Sequence, residues 1–353
     1  MITNERGEQQ SGYFLRFNRN KRSLTLNLKS EAGQRIFRDL ARESDVLIEN
    51  FRPGLLNEMG LGYDDLSRDN PGLVYASITG FGSMDGYLGP YSKRPAYDIV
   101  AQAMGGLMTT CGQAGGPPTW LGVALGDIAS GMNAAYAITL ALLQRGRTEQ
   151  GQYIDVSMYD TIIGLAERSV TAYSLTATIL ERGRELYMAP WGPFECSDGW
   201  VALIVATERD WGRFCDAIGR PDLVGQEGTS SGPDRAQNMA GRLGETIAEW
   251  FSGQTKAEVV EKLLAAGLPV GPVQNAREIY ECPHVEARQM LIDVPDPILG
   301  TVKLVGPPFK MSASPEPIAA AAPLLGEHTT EVLREFLGYS DERVTELRAE
   351  GVV

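Results

Sequence analysis

Histidine is almost absent from this chain. Only His284 and His328 occur in 353 residues, so a mechanism built on a Ser–His or His–carboxylate pair has few candidates. Cysteine is scarce as well: Cys111, Cys196, Cys215 and Cys282 form no Cys-x-x-Cys pair. They read as reduced, buried thiols of a cytoplasmic protein, not as bridges or zinc ligands, and no metal site is expected. Basic residues are outnumbered, 32 Lys and Arg against 45 Asp and Glu, for a net charge of −13. That balance argues against nucleic acid as a partner, because such binding is driven by phosphate neutralisation. The N-terminus has no apolar core of a signal peptide. The most apolar stretch, 128–143, falls short of the roughly 20 residues a membrane span needs, and it contains Ser130, Gly131 and Asn133. It reads as a buried helix, and no membrane association is expected. Neither a Walker loop nor a Gly-x-Gly-x-x-Gly run after a strand is present.

What is present is apolar material for a core, with 43% hydrophobic and 22% charged residues. The length suits one large or two medium domains. Strand and helix signals alternate early. Residues 23–28 place Leu24, Leu26 and Leu28 on one face of a strand, and Ser30 caps a helix carrying Ile36, Phe37 and Leu40. Short apolar runs follow at 46–48 and 73–78, then a strand at 153–157 and a long helix over 158–180. This pattern predicts βαβ units around a parallel sheet. The middle differs. A hairpin signal turns at Asp198-Gly199, Thr207 caps a helix, and Thr255 with Glu258 forms a capping box. The expected architecture is α/β: a parallel, nucleotide-binding-like (Rossmann-type) large domain over 1–180, and a smaller α+β domain over 188–290. Residues 291–353 then form a linker and a C-terminal tail returning to the large domain.

In open α/β sheets ligands bind beyond the carboxyl ends of the strands. Three such ends are legible: Leu26 to Lys29, Glu49 to Arg52, and Gly80 to Gly82. Arg16, Arg19, Lys21, Arg22 and Lys29 also share an acid-free stretch of this acidic chain. A phosphate-bearing small molecule would use such charge, and a solvated basic face would look the same. The segment Gly122 to Gly131 places one carboxylate, Asp127, after Gly126 at the start of the long apolar helix. Asp127 fits an ordinary N-cap. It also fits a nucleophile in a dry pocket, with Gly126 letting a substrate approach the backbone. The glycines at 105, 106, 112, 115 and 116 fit a flexible loop.

Seven separated stretches then resemble, in order, the class III CoA-transferases of the CaiB–BaiF type, which include formyl-CoA transferase and carnitine CoA-transferase. They are Phe17 to Ser23, Val46 to Gly54, Arg94 to Gln102, Gly122 to Gly131, Arg147 to Ser157, Gly267 to Val273, and Pro323 to Thr329. The resemblance runs from about residue 13 onward. It implies that Asp127 is the catalytic nucleophile. CoA would move from an acyl-CoA to a small carboxylic acid through an aspartyl anhydride and an aspartyl-CoA thioester, with no metal and no permanently bound cofactor. It also implies that Leu26, Lys29, Asn50, Phe51, Arg52, Arg94 and Tyr97 contact the CoA thioester, the cations pairing with its phosphates and Tyr97 lying near the thioester. Relatives form interlocked homodimers, and the expected linkers at 178–193 and 293–322 suit that arrangement.

Three departures accompany the resemblance. The family's first βαβ segment, with a CoA-contacting loop, is expected to be missing. Met188 to Pro193 runs directly toward the hairpin where formyl-CoA transferase has a glycine-rich loop, and Glu58 stands where that enzyme has a phosphate-binding Arg. Two alternatives follow. One is an acyl-CoA racemase of the α-methylacyl-CoA type, whose catalytic His would fall at Tyr97; a phenol, with an ordinary pKa near 10, is a poor general base. The other is a non-catalytic, truncated family member. Arg182 and Arg184 can hold a dicarboxylate or serve as linker charges, the second being favoured.

Overall fold

The structure is a computed structural model and describes residues 1–3, 6–183, 187–314 and 320–353. The chain divides into two compact units, one formed by Met1–Gly183 with Ile292–Val353, the other by Arg184–Leu291. At the centre of the first lies a parallel sheet in the order Val46–Glu49, Val74–Thr79, Gln152–Ser157. The middle strand is buried on both faces, as Val74, Tyr75 and Ala76 show, which is what a sheet covered on two sides requires. On one face Val74 and Ala76 meet Ile138 and Ala141 of the long helix Leu125–Thr148. On the other, Tyr75 joins Ala41, Leu56, Leu61, Leu66 and Leu73. There the rings of Tyr63, Tyr75 and Tyr153 sit 5.6–6.1 Å apart. The alternation of these side chains follows the two-residue period of a strand.

Ser30 caps the helix Glu31–Arg42, its hydroxyl accepting from the Gly33 N–H. That helix buries Ile36 against Leu333, Val344, Leu347 and Val352. Leu333 lies in the helix Thr329–Leu337, Val344 and Leu347 in the helix Asp341–Ala349, and Val352 just after it. Residues 307–314 and 320–323 have no regular structure, and Gly338, in the left-handed region at φ 68°, closes the Thr329–Leu337 helix.

Four expectations are corrected here. Residues 23–28 are not a strand. Their N–H groups find partners other than a neighbouring strand: Ser23 donates to His328 Nδ1 at 3.2 Å, Thr25 to Thr329 Oγ1 at 3.2 Å, and Asn27 to the Val352 carbonyl at 2.8 Å. The long helix expected over 158–180 is two helices, Met158–Leu165 and Glu167–Thr176, meeting at Ala166. The second ends where Ala177 takes a left-handed conformation at φ 53°. The 128–143 helix is buried along one stripe only, because a single face packs on the sheet; Met132, Tyr136, Leu140 and Leu143 are exposed. Finally, the expected linker from 293 begins with paired strands, Leu291–Asp296 and Gly300–Val305. Asp296 Oδ1 ties their turn by accepting the N–H groups of Ile298 and Leu299 at 3.0 and 2.7 Å.

The second unit holds an antiparallel sheet of Trp191–Cys196, Gly199–Ile204 and Val270–Pro272. The hairpin turns at Asp198-Gly199, and Asp198 then accepts the Lys256 N–H at 2.7 Å. The third strand lies within the Gly267 to Val273 stretch. Helices Glu208–Ala217, Arg242–Ser252 and Lys256–Ala265 supply Phe214, Phe251 and Val259 to the core, where Phe194 stacks on Phe251 at 4.6 Å. The Thr255–Glu258 capping box is formed. All four cysteines are free; Cys196 and Cys215 are buried, and Cys111 and Cys282 only half-buried.

Candidate active site

The strand Val46–Glu49 delivers Asn50, Phe51 and Arg52 at its carboxyl end. Gly54 makes the following turn at φ 84°, a conformation glycine adopts without strain. Asn50 Nδ2 donates to the Ile78 carbonyl near the end of the neighbouring strand. Glu49 accepts the Ser77 hydroxyl and, at 2.8 Å, the Phe51 N–H. A cavity of about 660 Å³ opens beside these ends, lined by Glu49, Arg52, Tyr63, Ser77, Lys93 and Tyr153 among others. Arg52 does not present a free cation to it. Its guanidinium pairs with both oxygens of Glu58, one contact being 3.0 Å. The pairing holds the Glu58 carboxyl below the ordinary glutamate range.

Asp127 lies in the first turn of the long helix, at its third residue and not at the N-cap; Ala124 occupies that place with no side-chain bond. The residue is exposed, and among the described residues its carboxylate makes no hydrogen bond or ion pair. Partial burial of the carboxyl, and after it the charge of Asp98, push its pKa above the ordinary aspartate value. The positive end of the helix dipole acts the other way and favours the anion. Asp98 itself is buried at the start of the helix Asp98–Met104. Its Oδ1 accepts the Gly126 N–H at 2.6 Å. The space above Gly126 is therefore filled by a carboxylate and is not open to a substrate, correcting the expected role of that glycine; an added Cβ would lie 3.0 Å from Asp98 Oδ1.

The remaining expected residues divide. Tyr97 is the N-cap of the Asp98–Met104 helix, 82% exposed, and adjoins the Asp98–Gly126 link. Arg94 is exposed and stacks on Tyr91 at 4.1 Å. Lys29 is exposed, just before the Ser30 cap. Leu26 is spent elsewhere: it packs with Leu24 against the Ile36–Leu333 cluster. Within the acid-free stretch Arg22 pairs with Glu331 and Glu335, and Arg16 stacks on Tyr13 and Phe17 at 4.6 and 4.5 Å. Arg182 donates to the Gly116 carbonyl, and Arg184 lies outside the described residues. Sequence reasoning missed Asp98, Gln102 and Trp120. The available signal was an acid directly after Tyr97, at the first position of a helix within a matched stretch. Among the described residues no cluster of three or more His, Cys, Asp or Glu could hold a metal, and no helix is long and apolar enough to cross a membrane.

Residues 1–329 match the family model described as CoA-transferase family III. The chain is 37% identical over 341 residues to a succinyl-CoA–L-malate CoA-transferase beta subunit of Chloroflexus aurantiacus, covering 95% of this chain and 83% of that one. It is 36% identical to a formyl-CoA:oxalate CoA-transferase of Streptomyces avermitilis, over 97% and 86% of the two chains. The crystal structure of a CAIB/BAIF family protein from Brucella suis superposes with a TM-score of 0.82 at 31% identity, covering 95% of this chain and 86% of that one.

Proposed function

This chain belongs to CoA-transferase family III, and on that premise we propose that Asp127 is the nucleophile that carries CoA from an acyl-CoA donor to a carboxylic acid. One observation carries the reading: a partly desolvated carboxylate with no partner among the described residues, in the first turn of a 24-residue helix. The Asp127 carboxylate attacks the donor thioester carbonyl, and CoA thiolate leaves an acyl–aspartyl anhydride. The thiolate attacks the aspartyl carbonyl, which forms the aspartyl-CoA thioester and releases the donor acid. The acceptor carboxylate then attacks that thioester, expelling the thiolate and forming a second anhydride. The thiolate finally attacks the acceptor's acyl carbonyl and regenerates Asp127. Each step exchanges one acyl bond for another, so none requires an oxidant or a proton donor.

Arg52, Lys29 and Arg94 are assigned to the CoA phosphates, with Asn50, Phe51 and Tyr97 beside them and Leu26 contributing through its backbone. The Met1–Gly183 and Ile292–Val353 unit is then the nucleotide-binding-like domain that holds the CoA thioester. Relatives named for succinyl-CoA make it the first donor to assay. The apolar stripe left exposed on the long helix, Met132, Tyr136, Leu140 and Leu143, supports a homodimer, whose interlocking rests on the family resemblance alone, and the free thiols suit the cytoplasm. The deciding experiment is Asp127→Asn, which keeps the side chain's shape. The wild type incubated with succinyl-CoA or acetyl-CoA should yield an aspartyl hydroxamate with hydroxylamine, seen by peptide mass spectrometry. The variant should be folded and give neither hydroxamate nor transfer. Transfer by a variant that mass spectrometry shows has not deamidated would defeat the assignment.

A further inference from the structure

Asp98 is 9% exposed, yet both of its oxygens are occupied. Oδ1 accepts the Gly126 N–H at 2.6 Å. Oδ2 accepts Gln102 Nε2 at 2.7 Å and Trp120 Nε1 at 3.4 Å. Gln102, fully buried one turn along the same helix, extends the link by donating from Nε2 to the Val123 carbonyl at 2.9 Å. One carboxylate thus gathers residues 120, 123 and 126, the approach to the helix turn that carries Asp127. Burying a carboxylate is costly unless donors surround it. Here the donors are neutral N–H groups, and among the described residues no cation pairs with Asp98.

We propose that Asp98 is a positioning residue for Asp127: it clamps the 120–126 approach so that Asp127 leaves the first turn of the long helix in one fixed direction. The inference rests on the reading of Asp127 as nucleophile. The clamp has an electrostatic signature as well, because a carboxylate held by neutral donors keeps its field. The strands and helices packed on the long helix also carry Asp155, Asp160, Tyr75, Tyr153 and Tyr159. Of these and Asp98, it is Asp98 whose charge raises the Asp127 pKa. A more basic carboxylate is the better nucleophile once ionised. An asparagine at 98 can still accept from Gly126, but it lacks the charge and the second acceptor.

The test follows exchange between an acyl-CoA and its isotopically labelled parent acid, with succinyl-CoA or acetyl-CoA, whichever the wild type turns over. This needs no knowledge of the natural acceptor. For Asp98→Asn, kcat should fall about tenfold or more while KM changes little, and the acid limb of kcat/KM should move to lower pH. A fall in rate at every pH with the acid limb unmoved marks a merely structural residue and overturns the proposal, as does a variant indistinguishable from wild type. If Asp98→Asn does not fold, Trp120→Phe removes one donor and leaves a smaller aromatic ring. Its kcat should fall by about two- to fivefold at unchanged KM, and wild-type kcat there overturns the proposal. Asp127→Ala separates the two levels. Residual transfer in it defeats the nucleophile itself, whereas an inert Asp127→Ala beside a wild-type-like Asp98→Asn defeats only the clamp.

Discussion

Replacing Gly126 by alanine tests the geometry at the helix entry with one methyl group. The added Cβ would lie 3.0 Å from Asp98 Oδ1 and 3.6 Å from Ala101 Cβ. The second contact is ordinary, while the first requires the carboxylate to retreat by a few tenths of an ångström. Two terms favour the variant: up to about 1 kcal/mol of helix propensity and about 0.8 kcal/mol for a buried methyl. Against them stands the 2.6 Å bond from the Gly126 N–H. A bond to a charged group is worth about 1.5–3 kcal/mol net, and lengthening it forfeits a share of that. The balance should leave stability within about 1 kcal/mol of wild type, a shift of a few degrees in Tm. Catalysis has no such compensation. If the loosened clamp withdraws about 1.4 kcal/mol from the transition state, kcat falls about tenfold. Thermal melts with the labelled-acid exchange assay read both quantities. Wild-type kcat in a folded Gly126→Ala protein of unchanged stability would refute the claim that this contact governs the reaction.

Gly105→Ala should behave oppositely, losing stability first. Its Cβ would fall 2.4 Å from Ile162 Cγ2 and 2.9 Å from the Ala101 carbonyl, so urea unfolding should show about 1–3 kcal/mol of overpacking. Glu58→Gln releases Arg52 from its partner and should tighten CoA binding by calorimetry, while Arg52→Ala and Lys29→Ala weaken it, most strongly at low salt; equal affinity in all three returns these cations to a solvated face. Arg235 is 1% exposed and bonds to Glu208 and to the Ala189 and Thr229 carbonyls. Arg235→Ala should cost the second unit about 2–4 kcal/mol, read by urea unfolding. Because the folded-state pKa of Asp127 is raised, its ionisation opposes folding. The penalty is absent below the unfolded pKa of about 4 and complete above the raised folded value. Asp127→Asn should thus be more stable at neutral pH, with a urea-midpoint gain that shrinks on acidification.

The strands at 46 and 74 were legible because each is a short apolar run bounded by turn residues, and the strand at 152 because Tyr153, Ile154 and Val156 precede a helical segment. Residues 23–28 carried the same alternation and misled. Their backbone N–H groups find partners some 300 or more positions away, at His328, Thr329 and Val352, and no local pattern encodes that distance. The break at Ala166 has no proline to announce it, and the nearby Gly164 is itself helical. At the site, Asp127 stood out because a lone acid between glycine and a long apolar run is rare. Asp98 did not, although it sat in a matched stretch. Its meaning depends on a hydrogen bond to a backbone group 28 residues away. Glu58 was visible as a departure, but only the structure shows its carboxylate on Arg52.

The docking of residues 328–352 onto the Ile36 cluster also sets an order of events on the ribosome. Synthesis runs at about 5–20 residues per second. Leu24, Leu26 and Ile36 emerge early, and the side chains that cover them follow some 300 positions later. For a delay on the order of tens of seconds, that apolar face must stay uncovered or be shielded by a chaperone. The Arg184–Leu291 unit is continuous in the chain and can close its own core in the meantime. A nascent chain stalled after residue 291 has left the ribosome, but before residue 329 has, should therefore hold a protease-resistant second unit tethered to a first unit still open to cleavage.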